Sequence, residues 1–191
     1  SLVSLVAQGG ECRRMMGLAL KNVGLTLYQD GKSIFQEQGE ALFTHFGLSG
    51  PLVLSASAHL GDLAKHKYEV GFDLKPALSH EQLYARLNRD LTALANRDAA
   101  NCLVKLLPAS MQPVMVERWG VDPAKKANQL TKEERLALVE LMKDFRIKIR
   151  ERGDLEHAVI TSGGVTVKEV DPRTMASKKC PGLYFAGEVL D

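Results

Sequence analysis

The spacing of apolar residues changes twice along this chain, and that switch constrains its fold more than any single motif. Val23, Leu25 and Leu27 alternate with Asn22, Gly24 and Thr26, the period of a half-buried strand. Asp30-Gly31 comes next, ahead of Ser33-Ile34-Phe35, and predicts a tight hairpin because both central positions favour positive φ. A third strand is expected over residues 40–44. Alternation returns over residues 67–74, with Tyr68, Val70, Phe72 and Leu74 on one face and Lys67, Glu69 and Asp73 on the other. Between these strands, Ser49-Gly50-Pro51 predicts a helix start, with the Ser49 hydroxyl as cap and Pro51 in the first turn. That helix is expected to run for about three turns, ending near Leu60-Gly61.

The middle of the chain has helical spacing. Ser79 and Gln82 match a capping box, followed by Leu83, Leu87, Leu91 and Leu94 on one face. Further short helices are predicted over residues 99–107, stopped by Pro108, and over 112–119, ended by Gly120. Thr131 and Glu134 cap a fourth, running through Leu138, Leu141 and Met142 to about residue 145. Strand character then returns over 146–149, 158–161 and 183–186. The helical block is therefore an excursion from a β module that closes afterwards, an α+β arrangement.

Composition narrows the class. With 45% hydrophobic and 25% charged residues, the 191-residue chain has the profile of a globular domain rather than a disordered or fibrous one. A net charge of +2 is too small to argue for nucleic acid or a membrane surface. The longest apolar stretch, residues 50–58, falls far short of the about 20 residues that span a bilayer. Three widely spaced cysteines suit a reducing, cytoplasmic setting and contain no Cys-x-x-Cys pair for zinc. The opening Ser1-Leu2-Val3 and the stop at Asp191 after an apolar run read as cuts through a longer protein.

Three segments depart from ordinary packing patterns. In residues 42–51, two glycines and a proline shape a tight turn that sets His45 and the Ser49 hydroxyl near a helix start, suited to a polar or anionic ligand. The plain alternative makes Ser49 only a cap and His45 only a turn residue. Thr161-Ser162-Gly163-Gly164-Val165 ends a strand in paired glycines, which lets backbone approach a flat ligand; a simple hairpin is the alternative. In residues 181–188, a short apolar strand runs into Gly187-Glu188, whose carboxylate suits sugar hydroxyls at a strand's carboxyl end.

Other candidates carry less. His59, His66, His80 and His157 lack metal-ligand spacing, and no metal is expected. Residues 146–152 alternate basic and apolar positions, which suits a solvated strand face; no aromatic residues are interleaved for base stacking. Trp119 reads as packing. Cys180 sits beside Lys178 and Lys179, but no nucleophile–base pair accompanies it.

Residues 39–51 (Gly-Glu-Ala-Leu-Phe-Thr-His-Phe-Gly-Leu-Ser-Gly-Pro), 160–165 (Ile-Thr-Ser-Gly-Gly-Val), 174–178 (Thr-Met-Ala-Ser-Lys) and 181–191 together resemble the BaiN-like flavoproteins. These NAD(P)/FAD-dependent oxidoreductases include aminoacetone oxidase. The resemblance implies a Rossmann-like FAD domain interrupted by an insert, made of a partly open antiparallel β-barrel with a helical subdomain. This chain would be that insert: barrel over 1–76, helical subdomain over 77–145, closing barrel strand over 146–157, and a returning FAD-domain segment over 158–191. The cofactor-binding residues implied are Thr161, Ser162, Gly163, Gly164, Val165, Gly187 and Glu188, with Glu188 facing the FAD ribityl chain. Thr44, His45 and Ser49 would lie on the substrate or flavin side, with no residue assigned as catalytic.

The family's amino-terminal Gly-x-Gly-x-x-Gly is absent, so weak or no FAD binding is expected of this chain alone. The expected activity, hydride transfer between a small organic substrate and flavin with NAD(P)H as a further partner, belongs to the parent protein. Its expected partners are the small-molecule substrate and the missing Rossmann-like portion, without membrane or nucleic acid. The alternative is a non-catalytic β-barrel module that binds nucleic acid or a protein through residues 146–152.

Overall fold

Six strands, β1 (Leu5–Ala7), β2 (Ala19–Gln29), β3 (Lys32–Phe43), β4 (Gly47–Ser49), β5 (Tyr68–Asp73) and β6 (Phe145–Arg152), close into an antiparallel barrel. The order around it is β1-β4-β3-β2-β5-β6. This computed structural model describes residues 2–154, 158, 160 and 163–190. The α+β class matches the sequence reading, but the barrel is closed rather than partly open. The closing element is β1, too short to have been read from its pattern, which pairs Leu5 with Leu48 of β4 and with Arg152 of β6.

Alternation fills the barrel as expected. Leu25 and Leu27 from β2, Val70 and Phe72 from β5, and Phe145 and Ile147 from β6 are buried inside, with Phe43 tilted against Phe72 at 5.8 Å. Burying side chains of this size contributes roughly 1.5–3 kcal/mol each. The Asp30-Gly31 hairpin has both residues at positive φ, 51° and 82°, matching the twist of β2 and β3. The strand expected over 40–44 is the end of β3, which begins at Lys32.

The helix after Gly50 is shorter than expected and differently capped. Helix α2 (Pro51–Ser57) has Gly50 as its N-cap at φ 93°, with Pro51 in the first turn and no side-chain cap bond. Ser49 instead ends β4. Leu52, Val53 and Ala56 bury against the barrel, and the Ser57 hydroxyl accepts from the Val3 amide at 2.9 Å. A short helix, α1 (Glu11–Arg14), follows β1.

Between β5 and β6 lie α3 (His80–Ala93), α4 (Gln112–Trp119) and α5 (Lys132–Lys143). Both capping boxes form: Ser79 Oγ accepts from the Gln82 amide, and Thr131 Oγ1 from the Glu134 amide. Residues 99–107 do not form the expected α-helix. They make a 3-10 turn (Ala99–Asn101) followed by turns, which bury Cys102, Leu103 and Leu106 without a regular ladder. Helix α5 stops at Lys143, so Phe145 opens β6.

Two contacts tie this block to the barrel. The Leu74 amide donates to the Met142 carbonyl at 2.9 Å, and Arg118 on α4 forks onto the Glu11 carboxylate while lying 4.6 Å over the Phe145 ring. Past β6, the strand expected over 183–186 is not a ladder, and of the one expected over 158–161, residues 159 and 161 lie outside the described residues. Ile160 bridges Leu2 and Tyr184 bridges Ala176, each alone. Leu183 and Tyr184 are 44% and 65% exposed, and the run pairs with residues 175–177 through a single bridge, with the Ser177 amide donating to the Leu183 carbonyl and the Phe185 amide to the Met175 carbonyl.

Candidate functional site

The first site segment folds as a turn on the barrel wall. The Thr44 amide donates to the Gly47 carbonyl at 2.8 Å, and the Gly47 amide returns a bond to Thr44 Oγ1 at 3.0 Å. Thr44 is thereby committed to the turn, while His45 and Phe46 project from it. Their rings meet edge to face at 5.0 Å. Ser49 Oγ accepts from Ser4 Oγ at 2.9 Å on the same outer face.

Beside the turn is a cavity of about 450 Å³, lined by Ser4, Val6, His45, Phe46, Gly153 and Asp154. Its walls are the outward side chains of β1, the β3–β4 turn and the chain leaving β6. Val6 and Phe46 make it largely apolar, and Phe46 is 37% exposed although aromatic. A concave apolar pocket with a few polar groups suits a flat organic ligand. The sequence reading found His45 but missed Ser4, Val6 and Phe46; the outward positions of the Val3-Ser4-Leu5-Val6-Ala7 alternation are the signal that locates two of them.

The remaining site segments follow from this wall. The Gly153 amide donates to the Ser4 carbonyl at 2.7 Å, and the Leu2 amide to the Ile160 carbonyl at 2.8 Å, so the two chain crossings run side by side. Thr161 and Ser162 lie outside the described residues, as do His157 and Asp191. Gly163-Gly164-Val165 and Gly187-Glu188 come together: the Val165 amide donates to the Val189 carbonyl at 2.8 Å, and Val165 bridges Leu190 in parallel. Gly163 and Gly187 have φ of 89° and 78°, and a Cβ on either would meet no atom within 4 Å. Backbone conformation, not crowding within this chain, requires glycine there. The Glu188 carboxylate is exposed and has no hydrogen bond or ion pair among the described residues.

Two glycine turns and an uncommitted carboxylate are a donor and acceptor set that fits the sugar portion of a dinucleotide cofactor. Other polar groups are occupied. Lys178 reaches the Lys168 carbonyl and Lys179 pairs with Glu169, leaving neither beside Cys180 as a free base. His66 pairs with Asp30 at 2.7 Å, and His59 stacks on Phe35 at 4.5 Å. Burial pushes the Cys12 thiol up to about 12, helped by the neighbouring Glu11 charge, and burial raises Cys102 to about 11; both are inert thiols inside the core. Among the described residues, no group of three His, Cys, Asp or Glu could hold a metal ion, and no helix is long and apolar enough to cross a membrane.

A family profile described as "HI0933-like protein barrel and H2TH domain" matches residues 1–160, which contain the barrel and the helical block. The chain belongs to this family. The chain is 32% identical over 183 residues to the ribosomal RNA dihydrouridine synthase of Escherichia coli, covering 95% of this chain and 42% of that protein. It is 31% identical over 161 residues to the Haemophilus influenzae enzyme of the same name, covering 84% and 37%. It is 28% identical over 167 residues to a 3-dehydro-bile acid delta(4,6)-reductase of Clostridium scindens, covering 84% and 40%. The chain thus spans less than half the length of each. These matches support an oxidoreductase-related domain, as the flavoprotein resemblance implied.

Proposed function

We propose that this HI0933-like domain is the substrate-side part of a longer FAD-dependent reductase that saturates a carbon–carbon double bond conjugated to a carbonyl. Both activities named among its relatives have that chemistry. Making dihydrouridine saturates the uracil ring beside a carbonyl, and a delta(4,6)-reductase acting on a 3-dehydro steroid removes a conjugated alkene. The observation that carries the reading is the Val165–Val189 bond, which sets both glycine turns and Glu188 side by side.

In this reading Glu188 accepts hydrogen bonds from cofactor hydroxyls, and Gly163 and Gly164 let the backbone approach closely, with Thr161, Ser162, Val165 and Gly187 completing the contact. Bound flavin supplies the hydride, with NAD(P)H as its source. Val6 and Phe46 exclude water from the pocket, while His45 and Ser49 face the substrate; Thr44 holds the turn. The division into barrel (1–76 and 146–157), helical subdomain (77–145) and flavin-side segment (158–191) belongs to the same proposal.

Ribosomal RNA is the substrate class favoured by the two relatives above 30% identity, and a cytoplasmic location fits it. This departs from the expectation of a small-molecule substrate, which the flavoprotein resemblance implied, and from the small net charge, which argued against nucleic acid. The bile-acid reductase keeps a small conjugated ketone as the second reading. Incubating the full-length protein with FAD, NADPH and rRNA from cells lacking the gene, followed by nucleoside mass spectrometry, separates the two. Dihydrouridine formation is the expected result. NADPH oxidation with a conjugated ketone but not with RNA supports the second reading, and a protein that retains no FAD contradicts both.

A further inference from the structure

The barrel and the helical block do not meet flush. A cleft of about 210 Å³ remains between the start of β2, the chain leaving β5 and the turns that replace the expected helix; its floor includes Leu20, Leu74, Leu106 and Met111. Two cations line it, Lys21 on β2 and Lys75 after β5. Neither has a carboxylate partner among the described residues. The acid nearest in sequence to Lys75, Asp73, is already committed: its Oδ1 accepts from the Lys75 amide at 3.0 Å and its Oδ2 pairs with Lys143 at 2.6 Å.

A third cation makes the arrangement more unfavourable without a ligand. Arg86 on α3 lies outside the cleft lining, with Nη2 3.5 Å from the Lys105 carbonyl and Nε paired to Asp90 at 3.7 Å. Burial, followed by the Arg86 charge, holds the Lys75 ammonium below the usual lysine range. Lys75 is half-buried and Lys21 exposed at the rim, and two ammonium groups lining one cleft with no carboxylate paired to either form a seat for an anion.

The cleft is also placed near the candidate pocket. Ala19, at its edge, pairs across the ladder with Leu42, three residues before His45. From Lys21, two residues further along β2, one strand pairing and five residues of chain put His45 within roughly 20–25 Å. A few nucleotides of extended single strand span that distance.

We propose that the Lys21–Lys75 cleft seats a phosphodiester of an RNA chain whose reacting base enters the His45–Phe46 pocket. The inference rests on the reading of this protein as an RNA-acting reductase, and it adds the surface that holds the backbone.

Fluorescence anisotropy with the full-length protein and a fluorescein-labelled oligouridylate, titrated over a range of salt concentrations, tests it. Lys75→Gln and Lys21→Gln should each weaken binding and lower the slope of log affinity against log salt by about 0.7, the loss of one phosphate contact to a single strand. Lys75→Arg, which keeps the charge, should retain the wild-type slope, and so should Lys132→Gln on the exposed start of α5. Salt-dependent binding unchanged in both cleft variants overturns the cleft and leaves the RNA reading standing. Failure of the wild-type protein to bind the RNA at all overturns both.

Discussion

The Val165 amide donates to the Val189 carbonyl at 2.8 Å, and through that bond the Gly163-Gly164 turn stands beside Gly187-Glu188. Twenty-two residues lie between Gly164 and Gly187 in the chain, so neither turn predicts the other's position from sequence spacing alone. In the full-length protein, Glu188→Ala should weaken FAD retention by about 1–3 kcal/mol, the scale of a lost hydrogen bond to a charged group. That corresponds to a roughly 5- to 150-fold higher dissociation constant, measurable by equilibrium dialysis with fluorescence detection of free flavin. Unchanged affinity would remove Glu188 from the cofactor site.

Arg118 couples the two halves of the structure by gripping Glu11, with Nε 2.8 Å from Oε1, while stacking over Phe145. Arg118→Ala should lower unfolding stability by roughly 1–3 kcal/mol, because it removes charge-assisted bonds and leaves a partly buried carboxylate unpaired. Arg118→Lys should not restore it, since an ammonium cannot make the two-pronged contact. Urea unfolding midpoints for the three proteins are the check.

Gly71 is a close-approach position. A Cβ there would stand 2.1 Å from Asp144 Oδ1 and 2.9 Å from Tyr28 Cε2, because the Arg146 guanidinium lies 3.9 Å over the Tyr28 ring and binds Asp144 at 2.7 Å. Gly71→Ala should destabilise by about 1–3 kcal/mol through overpacking. Adding Asp144→Ser, which removes the closest atom, should recover part of that loss in thermal unfolding.

The Lys125 ammonium, at 2.7 and 2.9 Å from its oxygens, and the Thr131 amide hold the Glu134 carboxyl below the usual glutamate range. A depressed folded-state value means the stabilisation is fully present above the ordinary value of about 4.3 and is lost as pH falls through the folded value. Glu134→Gln keeps the capping-box geometry and removes the charge. The variant should be less stable than wild type at neutral pH and converge with it in acid, as read from urea midpoints across pH. A gap that persists in acid would assign the loss to packing instead.

Thiol accessibility offers a check on the core. Cys12 and Cys102 are buried with raised values of about 12 and 11, whereas Cys180 is exposed. Ellman's reagent at mildly alkaline pH should therefore titrate one thiol in the folded chain and all three in denaturant. Fast reaction of a second thiol before unfolding would contradict the packing of α1 or of the turns after Ala99.

Much of this fold was legible because local signals agreed with the tertiary result. The alternation at Val23-Leu25-Leu27 and Tyr68-Val70-Phe72, the Asp30-Gly31 turn and the boxes at Ser79 and Thr131 are satisfied by nearby residues. Features decided by distant partners were not legible. β1 is three residues long and exists because β4 and β6 flank it. Residues 99–107 have helical spacing, yet bury Cys102, Leu103, Leu106 and Leu107 through turns rather than a helix. Ser49 has the chemistry of a cap but was drawn to Ser4, leaving Gly50 to start α2. At the candidate site, His45 and the glycine pairs were visible as motifs, whereas the pocket that gives His45 a use depends on β1 and Gly153, far apart in sequence.

The most direct test is a structure of the full-length protein with FAD bound. The account predicts the Glu188 carboxylate within hydrogen-bonding distance of a ribityl hydroxyl, the Gly163-Gly164 backbone against the cofactor, and the isoalloxazine ring open towards Phe46. Finding the flavin remote from Gly163, Glu188 and the His45 turn would contradict it.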